Sequence, residues 1–239
     1  MSAAPPIKIT LADVQAELER RSYRKYDYYF PDSTRAGYQK HLDFIAATAD
    51  CREVCFMAGN RTGKSETGAY AVTAWATGEY PHWWTGRRFN RAVSIIVAGE
   101  TGRLVRDSLQ MKLLGLPGQR GTGMIPRDAI VSVSAKSGVP DAIDTIQVRN
   151  KYGGVSIIHF QSFDQGREQF QATSRDVVWL DEEPPLAVYE ECLVRTMTTK
   201  GVVILTFTPL KGMSDTVQRD QPKAQVVEDW TLNKAYTIR

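Results

Sequence analysis

Short apolar runs, separated by helical or polar segments, dominate the middle of the chain. Five of them stand out, at residues 54–58, 93–98, 155–160, 177–180 and 202–207. Near-continuous apolar runs of this length are typical of strands that are buried on both faces of a parallel sheet. Residues 64–79, after the first run, are long enough for a crossover helix. The pattern predicts a three-layer α/β fold with a mainly parallel central sheet.

The two ends of the chain have different patterns. The pattern of residues 8–22 predicts an amphipathic helix, with Thr10 as its N-cap and an apolar face formed by Ile9, Leu11, Val14 and Leu18. The pattern of residues 34–48 predicts a second helix. Residues 1–50 are therefore an N-terminal helical region, and residues 51–210 form the core. Residues 211–239 are polar, and we expect no core strand there, only the start of a lid or linker region. The Gly- and Pro-rich residues 115–123 predict a flexible loop.

Composition excludes several classes of protein. Hydrophobic residues make up 42% and charged residues 24%, as in a globular domain, and the apolar runs are far shorter than the ~18 residues of a membrane helix. No basic stretch leads into an apolar one at the start, so we expect no secretory signal. Three cysteines cannot form a disulfide framework. The three histidines are scattered and do not complete a zinc site, so we expect the cysteines to be buried thiols. The net charge of +3 does not decide the function, and the basic residues 20–25 suit either a phosphate-contacting surface or a solvated helix end.

A phosphate-binding motif follows the first apolar run. Backbone N–H groups of a small-residue loop can surround an anion, a Lys can reach the β- and γ-phosphates, and a Ser or Thr hydroxyl can bind Mg²⁺ where the next helix begins. The segment reads Ala58-Gly59-Asn60-Arg61-Thr62-Gly63-Lys64-Ser65. Ala58 stands where the first Gly of the motif is expected, but the loop has the required place between a strand and a helix. Together with the apolar runs it predicts a P-loop NTPase fold of the RecA/ASCE-like type.

Acidic residues end the fourth apolar run. Carboxylates at the carboxyl end of a buried strand lie at the edge where α/β sheets bind ligands. We expect Asp181 to bind Mg²⁺ together with Ser65, and Glu182 to polarise the attacking water. Glu183 is an alternative base. The other explanation for these residues is a solvated acidic turn, which the phosphate loop upstream disfavours.

Further polar residues are candidates for contacts with the nucleotide. Thr206 and Thr208 end the fifth run and could lie beside the γ-phosphate, whereas Gln39 could read adenine through its amide donor and acceptor. Phosphoryl-transfer sites commonly include a guanidinium, supplied in cis or by a neighbour. Arg167 is our candidate for this arginine finger, and Arg61 for a local phosphate contact.

These segments, in this order, resemble the large terminase subunits of tailed double-stranded DNA bacteriophages. The resemblance extends over residues 26–217, and it rests on the motifs at 55–65, 165–168, 178–185, 204–210 and 212–215. Proteins of this family are ATP-driven motors that move phage DNA into a preformed procapsid. The resemblance implies Mg²⁺ with ATP as the cofactors and residues 59–65 as the Walker A loop. It also implies Asp181 and Glu182 as the Walker B pair and residues 206–209 as the coupling motif.

The resemblance also implies partners and a place in the cell. The implied partners are double-stranded DNA, a portal protein and a small terminase subunit. The chain itself would form a homo-oligomeric ring, which the family resemblance implies is a pentamer. No membrane is implied as a partner. The ring would act in the host cytoplasm, on the procapsid during packaging, and would not remain in the mature virion. Family members carry a C-terminal nuclease, and we expect it to be absent here because no acidic cluster follows Asp220 beyond Glu228 and Asp229.

Other functions remain possible at this point. A helicase-like DNA translocase would share Gln39, the acidic pair and the two threonines, although it needs a second RecA-like domain. A nucleotide-binding module that is inactive until it assembles with neighbours is the non-enzymatic alternative. A GTPase is disfavoured because the chain has no Asn-Lys-x-Asp motif.

Overall fold

An eight-stranded sheet organises the protein. The computed structural model describes residues 9–171 and 173–209, and the backbone of Ala235–Ile238. The strands are β1 Glu53–Met57, β2 Ser94–Gly99, β3 Ile130–Ala135, β4 Ile143–Arg149, β5 Val155–Ser162, β6 Val177–Asp181, β7 Val202–Phe207 and β8 Ala235–Ile238. Their order across the sheet is β3-β4-β5-β2-β6-β7-β1-β8. All five apolar runs are strands, as predicted.

The central strands are parallel, so their carboxyl ends meet at one edge. β5, β2, β6, β7, β1 and β8 pair in parallel, whereas β4 pairs antiparallel with both β3 and β5. β7 lies between β1 and β6, and its register places Thr206 opposite Asp181. This arrangement confirms the P-loop NTPase fold with a mainly parallel sheet.

Alternate residues of the central strands supply two hydrophobic cores. On β1, Val54 and Phe56 belong to the core on one face, whereas Cys55 and Met57 belong to the core on the other. The strands are buried along their whole length because helices cover both faces. Cys51, Cys55 and Cys192 are buried thiols, as predicted.

In the described part of the chain, seven α-helices cover this sheet or precede it. They are α1 Leu11–Ser22, α2 Lys25–Tyr28, α3 Gln39–Ala47, α4 Lys64–Thr77, α5 Gly102–Leu104, α6 Met111–Leu114 and α7 Leu186–Met197. A π-helical segment, Val105–Gln110, joins α5 to α6, and short 3₁₀ turns occupy Arg35–Tyr38, Arg127–Ala129, Phe163–Gln165 and Arg167–Phe170. Within the described ranges, none of the helices has both the length and the apolar character needed to cross a membrane.

The N-terminal helix forms as predicted, but its apolar face is not covered by the described part of the chain. Thr10 caps α1 in a capping box with Asp13. The apolar side chains of the predicted face are exposed, Leu11 at 75% and Leu18 at 62%. The capping box therefore sets the N-terminal boundary of this helix. Local charge pairs such as Glu17 with Arg20, rather than packing, stabilise it.

Other boundaries differ from the sequence-based expectations. The second predicted helix, at 34–48, is a 3₁₀ turn followed by α3, and α4 ends at Thr77 because Gly78 adopts a left-handed conformation with φ of 70°. The expectation that residues 211–239 contain no core strand was wrong, because the backbone of β8 pairs with β1. Most of the predicted lid or linker, residues 211–234 and residue 239, lies outside the described residues.

The predicted flexible loop at 115–123 is held against the helical segment before it. The backbone N–H of Gly121 donates to Leu114 O at 2.7 Å, and the N–H of Met124 donates to Lys112 O at 2.7 Å. Met124 and Ile125, immediately after the loop, are fully buried. The prediction of flexibility missed these anchors because they depend on tertiary contacts.

Candidate functional site

The phosphate-loop segment connects β1 to α4 at the carboxyl edge of the sheet. Gly63 precedes α4 with a left-handed φ of 84°, which a residue with a Cβ adopts only at a cost. Thr62 Oγ1 donates to Gly59 O at 3.0 Å and closes the loop on itself. The loop therefore leads directly into the N-terminus of a fourteen-residue helix, where the helix dipole favours an anion.

The Lys64 amine connects the loop to the end of β7. Lys64 Nζ donates to Gly59 O at 2.7 Å and to Thr208 Oγ1 at 3.0 Å. Thr208 Oγ1 in turn donates to Asn60 Oδ1 at 2.9 Å. Burial lowers the pKa of the Lys64 amine, while the charges of Glu182 and Asp181 oppose that shift. The structure thus brings together residues of the loop and Thr208, directly after β7, that are far apart in the sequence.

Asp181 is buried at the end of β6 and is bound from two sides. Thr206 Oγ1 donates to Asp181 Oδ1 at 2.6 Å, and the Ser65 side chain also hydrogen-bonds to this carboxyl. Burial raises the pKa of Asp181, and these two hydrogen bonds favour its charged form. A carboxylate and a hydroxyl side by side are oxygen ligands of the kind that Mg²⁺ prefers.

Glu182 has an unusual backbone conformation beside this carboxyl. Its φ is 71°, a left-handed value that costs a non-glycine residue about 1–3 kcal/mol. Its N–H donates to Thr206 O at 3.0 Å, which holds the backbone in place. Burial and the neighbouring Asp181 charge raise the pKa of Glu182, whereas Lys64 acts in the opposite direction. A half-buried, strained carboxylate next to the Lys64 amine is typical of a functional residue rather than of a solvated acidic turn.

Three of the predicted site residues are not joined to this cluster by hydrogen bonds. The Gln39 amide donates to Asp43 Oδ1 at 2.7 Å and lines a separate cavity of about 220 Å³ on α3. Arg61 is exposed in the loop with a φ of 62°. Arg167 binds a buried carboxylate on α7, with Nε 2.8 Å from Glu191 Oε2.

Some residues around the loop were not predicted from the sequence. His41 Nδ1 lies 2.6 Å from Thr67 Oγ1, and its ring would meet a Cβ added to Gly63 at 3.2 Å. Lys112 pairs with Glu66 at 3.3 Å, next to Ser65. No local motif marks these residues, because their positions depend on how α3 and α6 pack on α4.

Close packing of α4 on β6 predicts a stability effect. A Cβ on Gly68 would lie 2.4 Å from Trp179 Cε2 of a fully buried indole, so Gly68→Ala should cost about 2–3 kcal/mol in overpacking, of which about 1 kcal/mol is offset by helix propensity. We expect thermal unfolding to show a lower Tm, by about 2–4 °C for each net kcal/mol. Gly37→Ala is the matched control because nothing lies within 4 Å of its added Cβ. Equal Tm values for the two variants would contradict the packing described.

The family of the chain follows from sequence comparison. Residues 55–237 match the family described as "Terminase large subunit, T4likevirus-type, N-terminal". The chain belongs to this family. The large terminase subunit of Salmonella phage P22 is 37% identical to this terminase chain over 223 residues, which are 84% of this chain and 45% of the P22 protein. The chain therefore spans less than half the length of that relative.

Solved structures of another terminase are also similar. The large terminase of a thermophilic bacteriophage matches with a TM-score of 0.48 at 13% identity, covering 71% of this terminase chain and 38% of the other protein. The same phage protein in complex with ADP matches over the same shares with a TM-score of 0.46.

Proposed function

We propose that this terminase chain is an ATP-hydrolysing motor domain that powers translocation of viral double-stranded DNA into a procapsid. The observation that supports it most is the meeting of Lys64, Asp181 and Glu182 at one edge of the sheet, linked through Thr206 and Thr208. Membership of the terminase family supports the packaging role.

The loop binds the phosphates of ATP in this proposal. Backbone N–H groups of residues 59–65 and the α4 N-terminus surround the β- and γ-phosphates, and the Lys64 amine exchanges its bond to Gly59 O for phosphate oxygen. Asn60, Arg61 and Thr62 lie in the same loop, and Arg61 is exposed for a phosphate contact. The Gln39 amide, which donates a hydrogen bond to Asp43 in this structure, releases Asp43 and hydrogen-bonds to adenine when ATP binds.

The residues present fit a magnesium ion. The buried Asp181 carboxyl and the Ser65 hydroxyl are hard oxygen ligands in mutual contact, and Mg²⁺ is commonly held by one or two protein groups with waters and substrate phosphates. Bound there, the ion would neutralise charge that develops on the phosphate oxygens. Thr206 keeps the carboxylate in position by donating to its Oδ1.

Glu182 accepts a proton from the attacking water. Burial and Asp181 raise the pKa of this carboxylate, which makes it a stronger base than an ordinary glutamate. Glu182 has a left-handed backbone conformation directly after the end of β6. Lys64 supplies a neighbouring positive charge. Thr208, which binds both Lys64 and Asn60, lies where it could respond to loss of the γ-phosphate.

The packaging role includes several partners. We propose double-stranded DNA as the cargo, a portal protein and a small terminase subunit as partners, and a homo-oligomeric ring, a pentamer by family, as the working form. The ring would act on the procapsid in the cytoplasm of the bacterial host and would be absent from the mature virion. Membership of the terminase family supports each of these proposals.

Steady-state ATP hydrolysis with Mg²⁺ at rising protein concentration tests the proposal. If neighbours complete the site, turnover per chain should rise with protein concentration and should rise further with double-stranded DNA. Tight ATP binding without turnover at any concentration would favour a nucleotide-binding module instead. Strand displacement by the protein would favour a helicase-like translocase.

Arg167 provides a sharper test of assembly. It contacts Glu191 rather than the loop, and its side chain is 56% exposed, as a residue that acts on a neighbouring chain would be. We expect Arg167→Ala to lose turnover by about 10³-fold or more, the usual scale for such an arginine. Mixing it with Glu182→Gln, which keeps Arg167, should restore part of the turnover because each variant supplies what the other lacks.

Arg195→Ala is the matched control for this experiment, since Arg195 also binds Glu191 but at an i,i+4 position on the same helix. Wild-type turnover by Arg167→Ala would show that Arg167 is only a structural partner of Glu191. Loss of turnover without recovery on mixing would show that Arg167 does not act on a neighbouring chain.

A further inference from the structure

Trp179 is a large buried side chain that the roles above do not use. It lies on β6 two positions before Asp181, on the same face of the strand, and is fully buried. Its ring packs against Gly68 of α4 so closely that a Cβ on Gly68 would lie 2.4–2.6 Å from its atoms. The indole therefore touches the helix that begins with Lys64 and Ser65.

The indole N–H begins a chain of hydrogen bonds that ends at the Asp181 carboxyl. Trp179 Nε1 donates to Thr206 Oγ1 at 2.7 Å, and Thr206 Oγ1 donates to Asp181 Oδ1 at 2.6 Å. An indole nitrogen can only donate, so the Thr206 oxygen accepts from it and its own proton is left for Asp181. Both bonds are buried, where a bond donated to a hydroxyl strengthens the bond which that hydroxyl donates.

We propose that Trp179 is a positioning residue for Asp181, acting through Thr206 to hold the carboxylate toward Ser65 and a bound magnesium ion. The proposal rests on the proposed function. Without the indole N–H, the Thr206 hydroxyl can rotate and donate elsewhere, and the Asp181 carboxylate then loses its fixed orientation. Loss of such an outer partner of a metal ligand typically costs about 10–100-fold in metal affinity or activity.

Trp179→Phe removes the N–H and keeps a buried aromatic ring. We expect the Mg²⁺ concentration that half-saturates ADP binding, measured by calorimetry, to rise about tenfold. ADP binding without Mg²⁺ should stay within about twofold, because Lys64 and the loop backbone are unchanged. Trp75→Phe is the matched control, since Trp75 is also fully buried with one indole bond, to Arg87 O at 2.9 Å.

A second measurement tests the hydrogen bonds in the protein alone. Among the five indole N–H signals in an NMR spectrum, that of Trp179 is the one lost in Trp179→Phe. Thr206→Val should move this signal and speed its hydrogen exchange, because the acceptor is gone, while the Trp75 signal stays in place. In Mg²⁺ titrations, Trp179→Phe in a Thr206→Val background should add little to the effect of Thr206→Val alone.

The outcomes separate this proposal from the proposed function. If Trp179→Phe and Trp75→Phe have the same Mg²⁺ dependence, or if the two substitutions at 179 and 206 act additively, the positioning role is wrong. If the unaltered protein binds Mg²⁺ with ADP but hydrolyses no ATP, the ATPase proposal fails, while the Mg²⁺ titrations and NMR still decide the role of Trp179.

Discussion

Glu182→Gln is expected to lower ATP turnover by about 100- to 10,000-fold, the range that loss of a general base produces. Gln has the same shape but cannot accept the proton of the attacking water. Nucleotide binding should be retained, because the loop and Lys64 do not depend on the Glu182 charge. Phosphate release and equilibrium binding of a fluorescent ATP analogue measure the two effects on the same sample.

Glu183→Gln is the matched control for Glu182. Glu183 is the next residue along the chain, and its Oε2 is buried without a hydrogen-bond partner. We expect its substitution to leave turnover close to that of the unaltered protein. Loss of turnover in Glu183→Gln and full turnover in Glu182→Gln would exchange the roles of the two residues.

Lys64→Ala is expected to lose both turnover and nucleotide affinity. The amine is mostly buried and already holds two oxygen acceptors, so removing it deletes a charged donor from the place where phosphate oxygens would lie. Hydrogen bonds to charged groups contribute about 1.5–3 kcal/mol, which corresponds to about 10–100-fold in Kd. Titration of an ATP analogue measures the affinity.

Lys136→Ala controls for the loss of a positive charge, because Lys136 follows β3 at the far edge of the sheet. It should bind nucleotide as the unaltered protein does. Equal affinities for Lys64→Ala and the unaltered protein would remove Lys64 from the proposed binding site.

The sequence was sufficient to predict the centre of the fold but not its edges. Buried parallel strands such as β1, β6 and β7 are continuous apolar runs, which are visible without a structure. β3 and β4 were missed because each alternates with exposed polar residues and lies toward an open edge, where tertiary pairing rather than composition defines a strand. β8 was missed because it is only four residues long.

For the candidate site, too, the sequence predicted one part and missed another. The loop from Gly59 to Ser65 and the Asp181-Glu182 pair are local motifs, so the sequence predicted them. The contacts that organise the site join distant segments, as when Trp179 donates to Thr206 or His41 approaches Gly63. Such contacts depend on strand register and helix packing, which one sequence does not reveal.

Single-turnover hydrolysis is the measurement that decides whether Lys64, Asp181 and Glu182 form an ATPase site. Protein in excess over labelled ATP, with Mg²⁺, is quenched over time and the ADP formed is counted, so product release does not limit the rate. We expect the unaltered protein to convert its bound ATP in one exponential phase, and Glu182→Gln to hold ATP unhydrolysed. Conversion at the same rate by both proteins, or by neither despite tight binding, would contradict the proposed site.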